Sequence, residues 1–286
     1  MFHTFSQEEL RSYCRTSIEA VEVWARRLIH EQMTAKYGVD FVHKTTANGE
    51  FLIKTDIRSH IDSMLASNQT RFSRAVDTLF LDHIIYFLCN PKWYKELFKP
   101  ALDYIYPQGR EEAREFLNRL VPIRNPLSHS NPISVRQAEQ AICYSHDFVE
   151  GLKKYYKARG EERVWNVPQI VKVTDSLGNV FDRVNNDSSM GAFFRLPQEL
   201  HCGETYSVEV EIDSSFSEQD YDVKWYVSGR GGNVFSSQKR LSITLEPKDV
   251  STESTIRCLV VQKKEWHKFA YHDSRITLIF PVLPPA

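Results

Sequence analysis

Apolar residues return every three or four positions through Leu10, Tyr13, Cys14, Ile18, Val21, Trp24, Ala25, Leu28 and Ile29, the period of a helix that buries one face. Ser6 with Glu9 three residues later forms a capping-box pattern at its start, and Tyr37-Gly38 supplies its stop. Arg26 and Arg27, in its second half, read as a solvated face. A polar loop or short hairpin is predicted over 45–54, where Asn48-Gly49 favours a tight turn. The pattern then predicts a short helix over 56–65 and a strong one over 71–89. The second carries a dense apolar patch around Leu79, Phe80, Leu81, Ile84, Ile85, Phe87 and Leu88, and His83 within it reads as a core or boundary histidine. Residues 91–107 are rich in aromatic side chains and interrupted by prolines. They read as short helices capping a core, with an aromatic platform for stacked bases as the alternative. Helices over 110–120 and 135–157 follow. The last opens on a Ser134/Gln137 capping box and places Ala138, Ala141, Ile142, Ser145, Phe148, Val149 and Leu152 on one face.

Beyond residue 164 the period changes from helical to alternating. Strand-like runs occupy 169–174, 192–195, 206–212, 222–227, 240–245, 255–262 and 274–280, with turn clusters such as 229–233 between them. Strands at this spacing point to a β-sandwich. The chain thus divides into an all-α part over 1–160, a charged linker over 161–168 and an all-β part over 169–286. Residues 281–285, rich in proline, read as an extended tail, and 265–273 as a hairpin loop whose aromatic residues could meet a partner. His267, His272 and Asp273 in that loop match no common metal-site spacing.

Composition narrows the function classes. The net charge is −1, so a protein that coats nucleic acid is not indicated, and any contact with RNA must be local. Residues 1–163 carry 23 basic and 21 acidic side chains against 13 and 16 in the remainder, which makes the first part the better placed for such a contact. The five cysteines are scattered, without CxxC spacing, and read as reduced thiols in a cytoplasmic protein. The N-terminal residues lack a signal-peptide pattern, and no apolar run approaches the ~18 residues of a membrane span.

The chemistry-bearing stretch is Val121-Pro122-Ile123-Arg124-Asn125-Pro126-Leu127-Ser128-His129-Ser130-Asn131-Pro132. Arginine supplies a permanent cation whose planar fork grips a phosphate at two points, and histidine supplies a proton carrier near neutral pH. The prolines predict a turn or a broken helix end, with Arg124 closing one helix and His129 standing before the next. The alternative is structural: Arg124 paired with a carboxylate, and His129 capping a helix.

An Arg-Asn-Pro-Leu-Ser-His string between two helices resembles the RxxxxH signature of HEPN domains (higher eukaryotes and prokaryotes nucleotide-binding), with Arg124 and His129 at the family's arginine and histidine. The resemblance covers most of residues 1–160. It implies a helical bundle and a metal-independent, cofactor-free endoribonuclease acting as a homodimer. In it His129 would move the proton, Arg124 would hold the scissile phosphate, Asn125 would orient one or the other, and Ser128 would add a substrate hydrogen bond. Family members serve prokaryotic stress response or phage defence as toxins. Those silenced by a nucleotidyltransferase antitoxin often carry Tyr two residues after the His, where this chain has Asn131. In the second part, Tyr221-Asp222-Val223-Lys224-Trp225-Tyr226 resembles the third strand of immunoglobulin-like or PKD-like (polycystic-kidney-disease-like) sandwiches, with Trp225 as the core aromatic. Cys258 falls where an immunoglobulin places its second cysteine, while the partner strand has Val208 and Val210. Such a sandwich implies a regulator or a recruiter of a protein partner. The alternative for the whole chain is a non-catalytic dimerisation or RNA- or nucleotide-binding adaptor.

Overall fold

The computed structural model describes residues 5–67, 72, 74–128, 131–182, 184, 188–232 and 234–285. The chain forms two compact units. One comprises 1–68 and 74–162, the other 163–286 with the short stretch 69–73.

The first unit is helical. Helix α1 (Gln7–Tyr37) begins at Ser6, whose hydroxyl accepts from the Glu9 amide while the Glu9 carboxylate accepts from the Ser6 amide. It ends at Gly38, whose φ of 91° suits glycine and whose amide closes on the Thr34 carbonyl. A bridge between Thr45 and Phe51 forms the short hairpin, followed by α2 (Thr55–Ser67). Helix α3 (Leu81–Leu88) is shorter than its apolar run predicts. Residues 91–102 are helical throughout: α4 (Pro91–Trp93), a π turn (Tyr94–Phe98) and α5 (Lys99–Leu102). Trp93, Tyr94, Phe98 and Tyr106 are buried and Trp93 stacks on Phe87, so these aromatics pack the core instead of forming a platform. Helices α6 (Arg110–Ser128) and α7 (Val135–Ala158) fold back on one another. Phe116 meets Tyr144 edge to face, and Arg119 donates to the Tyr144 hydroxyl. The middle of α1 lies at the centre, with Val21, Trp24, Ala25, Leu28 and Ile29 fully buried.

Four expectations change here. The helix predicted over 71–89 is interrupted, because Leu79 and Phe80 are extended (ψ 131° and 168°) and only a 3-10 turn, Ala75–Thr78, precedes them. Arg26 and Arg27 are not on a solvated face: they are 4% and 3% exposed, and Arg27 lies over the Trp24 ring at 4.9 Å. The Arg–His stretch does not break at its prolines, since α6 runs through Pro122 and Pro126 to Ser128. Each proline removes one i→i−4 bond, from the carbonyls of Asn118 and Pro122. Both of those residues are exposed, so water can take the lost partner's place. The linker region carries a helical turn, α8 (Glu162–Trp165).

The second unit is two stacked sheets. The first has the order β2 (Val180–Asp182), β1 (Ile170–Asp175), β5 (Thr205–Ile212), β7 (Arg240–Thr244). The second has the order β3 (Ala192–Arg195), β9 (Ser274–Leu283), β8 (Ser251–Gln262), β6 (Tyr221–Val227), with β4 (Leu200–His201) also on β9. All seven expected strands form, and the two added ones, β2 and β4, are too short to show an alternation. The last strand runs through Pro281 to Leu283, so the proline-rich end begins as sheet, not as a free tail. Trp225 is fully buried opposite Cys258, and its indole N–H donates to the Gln238 carbonyl at 2.7 Å. Burial drives the Cys258 thiol well above its ordinary pKa, which makes it inert core. All five cysteines are free thiols. In the 265–273 loop the Asp273 carboxylate is fully buried and takes the amides of Gln262 and Lys268 at 2.8 Å, with His267 at 3.2 Å. It staples the loop.

A tight helix contact gives a test. A Cβ built on Gly151 of α7 would stand 2.2 Å from Ile105 Cγ1. Helix propensity alone would make Gly151→Ala stabilising by about 1 kcal/mol. Overpacking reverses the sign, so urea denaturation should show the helical unit about 1–3 kcal/mol less stable.

Candidate active site

The site begins with a carbonyl. Because Leu79 is extended, its C=O is unavailable to a helix and accepts from Arg26 Nε at 3.1 Å and Nη2 at 2.6 Å. Arg26 Nη2 also pairs with Glu22 Oε2, one turn earlier on α1, and both side chains are buried. The other carboxylate oxygen, Glu22 Oε1, lies 3.8 Å from Arg124 Nε. One buried carboxylate thus faces two arginines, one structural and one from the motif. Arg124 is not enclosed by this contact: 32% of its side chain is exposed, and its guanidinium carbon sits 5.5 Å from the Phe80 ring centroid.

Phe80, half-exposed at the head of α3, anchors a small aromatic cluster. His60 and His83 lie 4.6 and 5.7 Å from its ring and 4.7 Å from each other. His60 Nε2 bonds the Thr78 carbonyl at 2.9 Å, and His83 Nδ1 accepts from the Phe80 amide. Burial, reinforced by His60, lowers the His83 pKa and favours its neutral form. His83 is half-buried, the boundary position its sequence context predicts.

Of the other motif residues, Asn125 is exposed on α6, and Ser128 is the last residue of that helix. His129 lies outside the described residues. The chain on either side of it is fixed by α1. Arg15 Nη2 donates to the Leu127 carbonyl at 3.1 Å, and Gln7 Oε1 accepts from the Ile133 amide at 3.2 Å. The Asn131 amide closes back on the Pro126 carbonyl at 2.9 Å. Ser134 then starts α7 with the predicted capping box.

Sequence reasoning missed a groove along the earlier turns of α6. A cleft of about 450 Å³ between α3 and α6 is lined by Lys54, Asp82, Tyr86, Arg110, Arg114 and Asn118, among others. Arg110, Arg114, Asn118 and Asn125 fall at helical spacing along one side of α6, with Arg124 at its margin. By helix rise, Arg114 and Arg124 are ~15 Å apart along the axis. Lys54 lies over the Tyr86 ring, and Arg110 bonds the Cys89 carbonyl and Glu111. Burial pushes the Cys89 thiol in the cleft up to about 11, so it stays neutral. The sequence signal was the i, i+4, i+8 spacing of Arg110, Arg114 and Asn118, which runs toward the motif. Among the described residues no group of three metal-ligating side chains occurs.

The buried pair predicts a non-additive stability pattern. Arg26→Met leaves Glu22 buried against a single distant cation and should cost the helical unit about 3–5 kcal/mol in denaturant titrations. Adding Glu22→Leu should restore most of that loss. Additive losses would mean that the two side chains act independently.

No protein-family model matches this chain, and no curated protein matches it in sequence.

Proposed function

We propose that the helical unit is a HEPN-type, metal-independent endoribonuclease that works as a homodimer. Arg124 binds the scissile phosphate and His129 moves the proton to and from the ribose 2′-hydroxyl and the leaving oxygen. Asn125 orients one of these groups, and Ser128 contacts the substrate. The observation that carries this reading is the position of Arg124. It is a partly exposed cation braced on Glu22 and Phe80, at the margin of a helix face that also carries Arg110 and Arg114. In-line cleavage of RNA develops negative charge on the phosphorane, and a pre-positioned guanidinium stabilises it without reorganising. Bracing by Glu22 serves that end, because it limits the conformers of a long side chain. The basic side chains of the groove supply the local phosphate contacts that a near-neutral protein needs. A two-fold dimer would set two Arg–His pairs in one cleft and so provide both an acid and a base. Under this reading the second unit is an immunoglobulin-like or PKD-like sandwich that regulates the nuclease or recruits a protein partner, in a cytoplasmic stress-response or anti-phage role.

The Glu22–Arg124 contact favours a second reading. An arginine already facing a carboxylate could be structural, and the chain would then be a non-catalytic dimerising or RNA-binding adaptor.

Cleavage of a single-stranded RNA in EDTA separates the two. The nuclease reading expects cleavage that survives the chelator and falls by about 10²–10⁴ in His129→Ala and Arg124→Gln. A folded dimer that binds RNA without cutting it supports the adaptor. Loss of cutting in EDTA would point to a metal-dependent enzyme. Arg114→Gln should weaken binding of a non-cleavable strand and reduce the salt slope by about 0.7. An unchanged slope would remove the groove from the binding surface.

A further inference from the structure

The outward face of the sheet β3–β9–β8–β6 carries two arginines that are paired with no acid among the described residues. Along β8 the core-facing residues are Ile256, Cys258 and Val260, and along β9 they are Ile276, Leu278 and Phe280. Strand alternation therefore turns Arg257, Leu259, Arg275 and Thr277 to the other side. Arg257 pairs in register with Thr277 and with Tyr226, while Arg275 pairs with Leu259. The two arginines are thus diagonal neighbours on one face. Arg275 is only 9% exposed and Thr277 3%. The Nε of Arg257, the Nε of Arg275 and the Thr277 hydroxyl are all buried without a hydrogen-bond partner, and neither arginine has an ion pair among the described residues.

This arrangement is costly by itself. Burial and the neighbouring Arg257 both push the Arg275 pKa below its ordinary value. Losing the proton is no escape, since a guanidinium stays charged in proteins. By contrast, Arg26 is matched by Glu22 and the Leu79 carbonyl, and Arg230 by Asp249 and the Thr244 carbonyl, while the buried Arg27 lies against the Trp24 ring. Backbone packing holds the unmatched pair in place. A Cβ on Gly191, whose φ is +69°, would stand 2.0 Å from the Arg275 carbonyl oxygen, so only glycine lets that segment lie so close to β9. Beside the pair opens a cleft of about 420 Å³, lined by Arg257, Thr255, Tyr226, Leu259 and Tyr271. Its size is that of a small-ligand site, for which roughly 300–1,000 Å³ is usual. Tyr271 is 58% exposed at the rim, and it is also an electrostatic neighbour of Arg275.

We propose that this face of the sandwich binds a mononucleotide in that cleft, with its phosphate gripped by Arg257, the buried charge of Arg275 behind it, and its base against Tyr226 and Tyr271. The Arg257 fork offers paired donors to a phosphate's oxygens, and Arg275, its diagonal neighbour, adds a second positive charge close behind. Flat tyrosine rings accept a base by stacking. The ligand would neutralise the pair and give the second unit a small-molecule input that does not depend on the Arg124 site.

The test uses the full chain in chloride buffer free of phosphate and sulfate, with AMP, inorganic phosphate and adenosine as probes. AMP should raise the melting temperature and bind at least about tenfold more tightly than phosphate, and adenosine should bind far more weakly than AMP. Arg257→Gln and Arg275→Met should each weaken AMP by at least about tenfold, while Arg124→Gln should leave it unchanged. Without ligand, Arg275→Met should melt higher than the parent, because it removes an unmatched buried charge. Equal affinity for phosphate and AMP would overturn the base contact. The whole site is overturned by AMP binding that ignores both sandwich variants, or by no binding to the parent. A less stable ligand-free Arg275→Met would also count against it, by making the guanidinium structural; Arg257, less deeply buried, then still reports on AMP. Loss of AMP binding in Arg124→Gln alone would instead place the nucleotide in the helical unit.

Discussion

The helical unit turns on one carbonyl oxygen, that of Leu79. In a continuous helix it would accept from the amide four residues on; here it accepts twice from Arg26. That exchange interrupts the apolar run over 71–89, sets Phe80 half-exposed at the head of α3, and draws two charged side chains of α1 into the interior. Burying Arg26 requires a carboxylate nearby, and Glu22, one turn back, provides it. The free oxygen of Glu22 then faces Arg124 on α6. The position of the motif arginine is therefore a consequence of how a different segment satisfies its backbone.

This chain of dependence explains what was legible in the sequence. Caps and alternation are local, and they read well. The Ser6/Glu9 and Ser134/Gln137 boxes, the glycine stop at Gly38, and the seven longer strands all follow from neighbours in sequence. The break at Leu79–Phe80 was not legible, because its cause lies 53 residues away in Arg26. The solvated reading of Arg26 and Arg27 failed for the same reason, since their partners are a distant carbonyl and the Trp24 ring. Pro122 and Pro126 misled in the opposite sense. A proline disfavours a helix by a bond and a clash, but the carbonyls left over belong to exposed residues, and the buried Ile123 and Leu127 hold the segment to the core.

For the motif itself, sequence supplied the residue types and structure supplied their surroundings. Arg124 and Asn125 lie within α6, between its two prolines, so their mutual orientation is set by the helix and not by a loop. A helix positions a side chain more closely than a turn would. The same helix carries Arg110 and Arg114 toward its other end. A nearly neutral chain therefore presents a short cationic track without a basic surface overall.

Arginine is buried in two different ways in this chain, and the contrast is informative. Arg26 in the helical unit and Arg230 in the sandwich each meet a carboxylate and a backbone carbonyl, so their charge is satisfied by the chain itself. Such groups are architecture: removing them injures the fold. Arg257 and Arg275 meet neither, and they stand on the sheet face opposite the core, where apolar side chains would have packed at no electrostatic cost. A fold under selection for stability alone has no use for that pair, since isosteric apolar residues there would raise stability. The excess positive charge is complementary to an anion, and a rim tyrosine and a cleft of ligand size lie directly beside it.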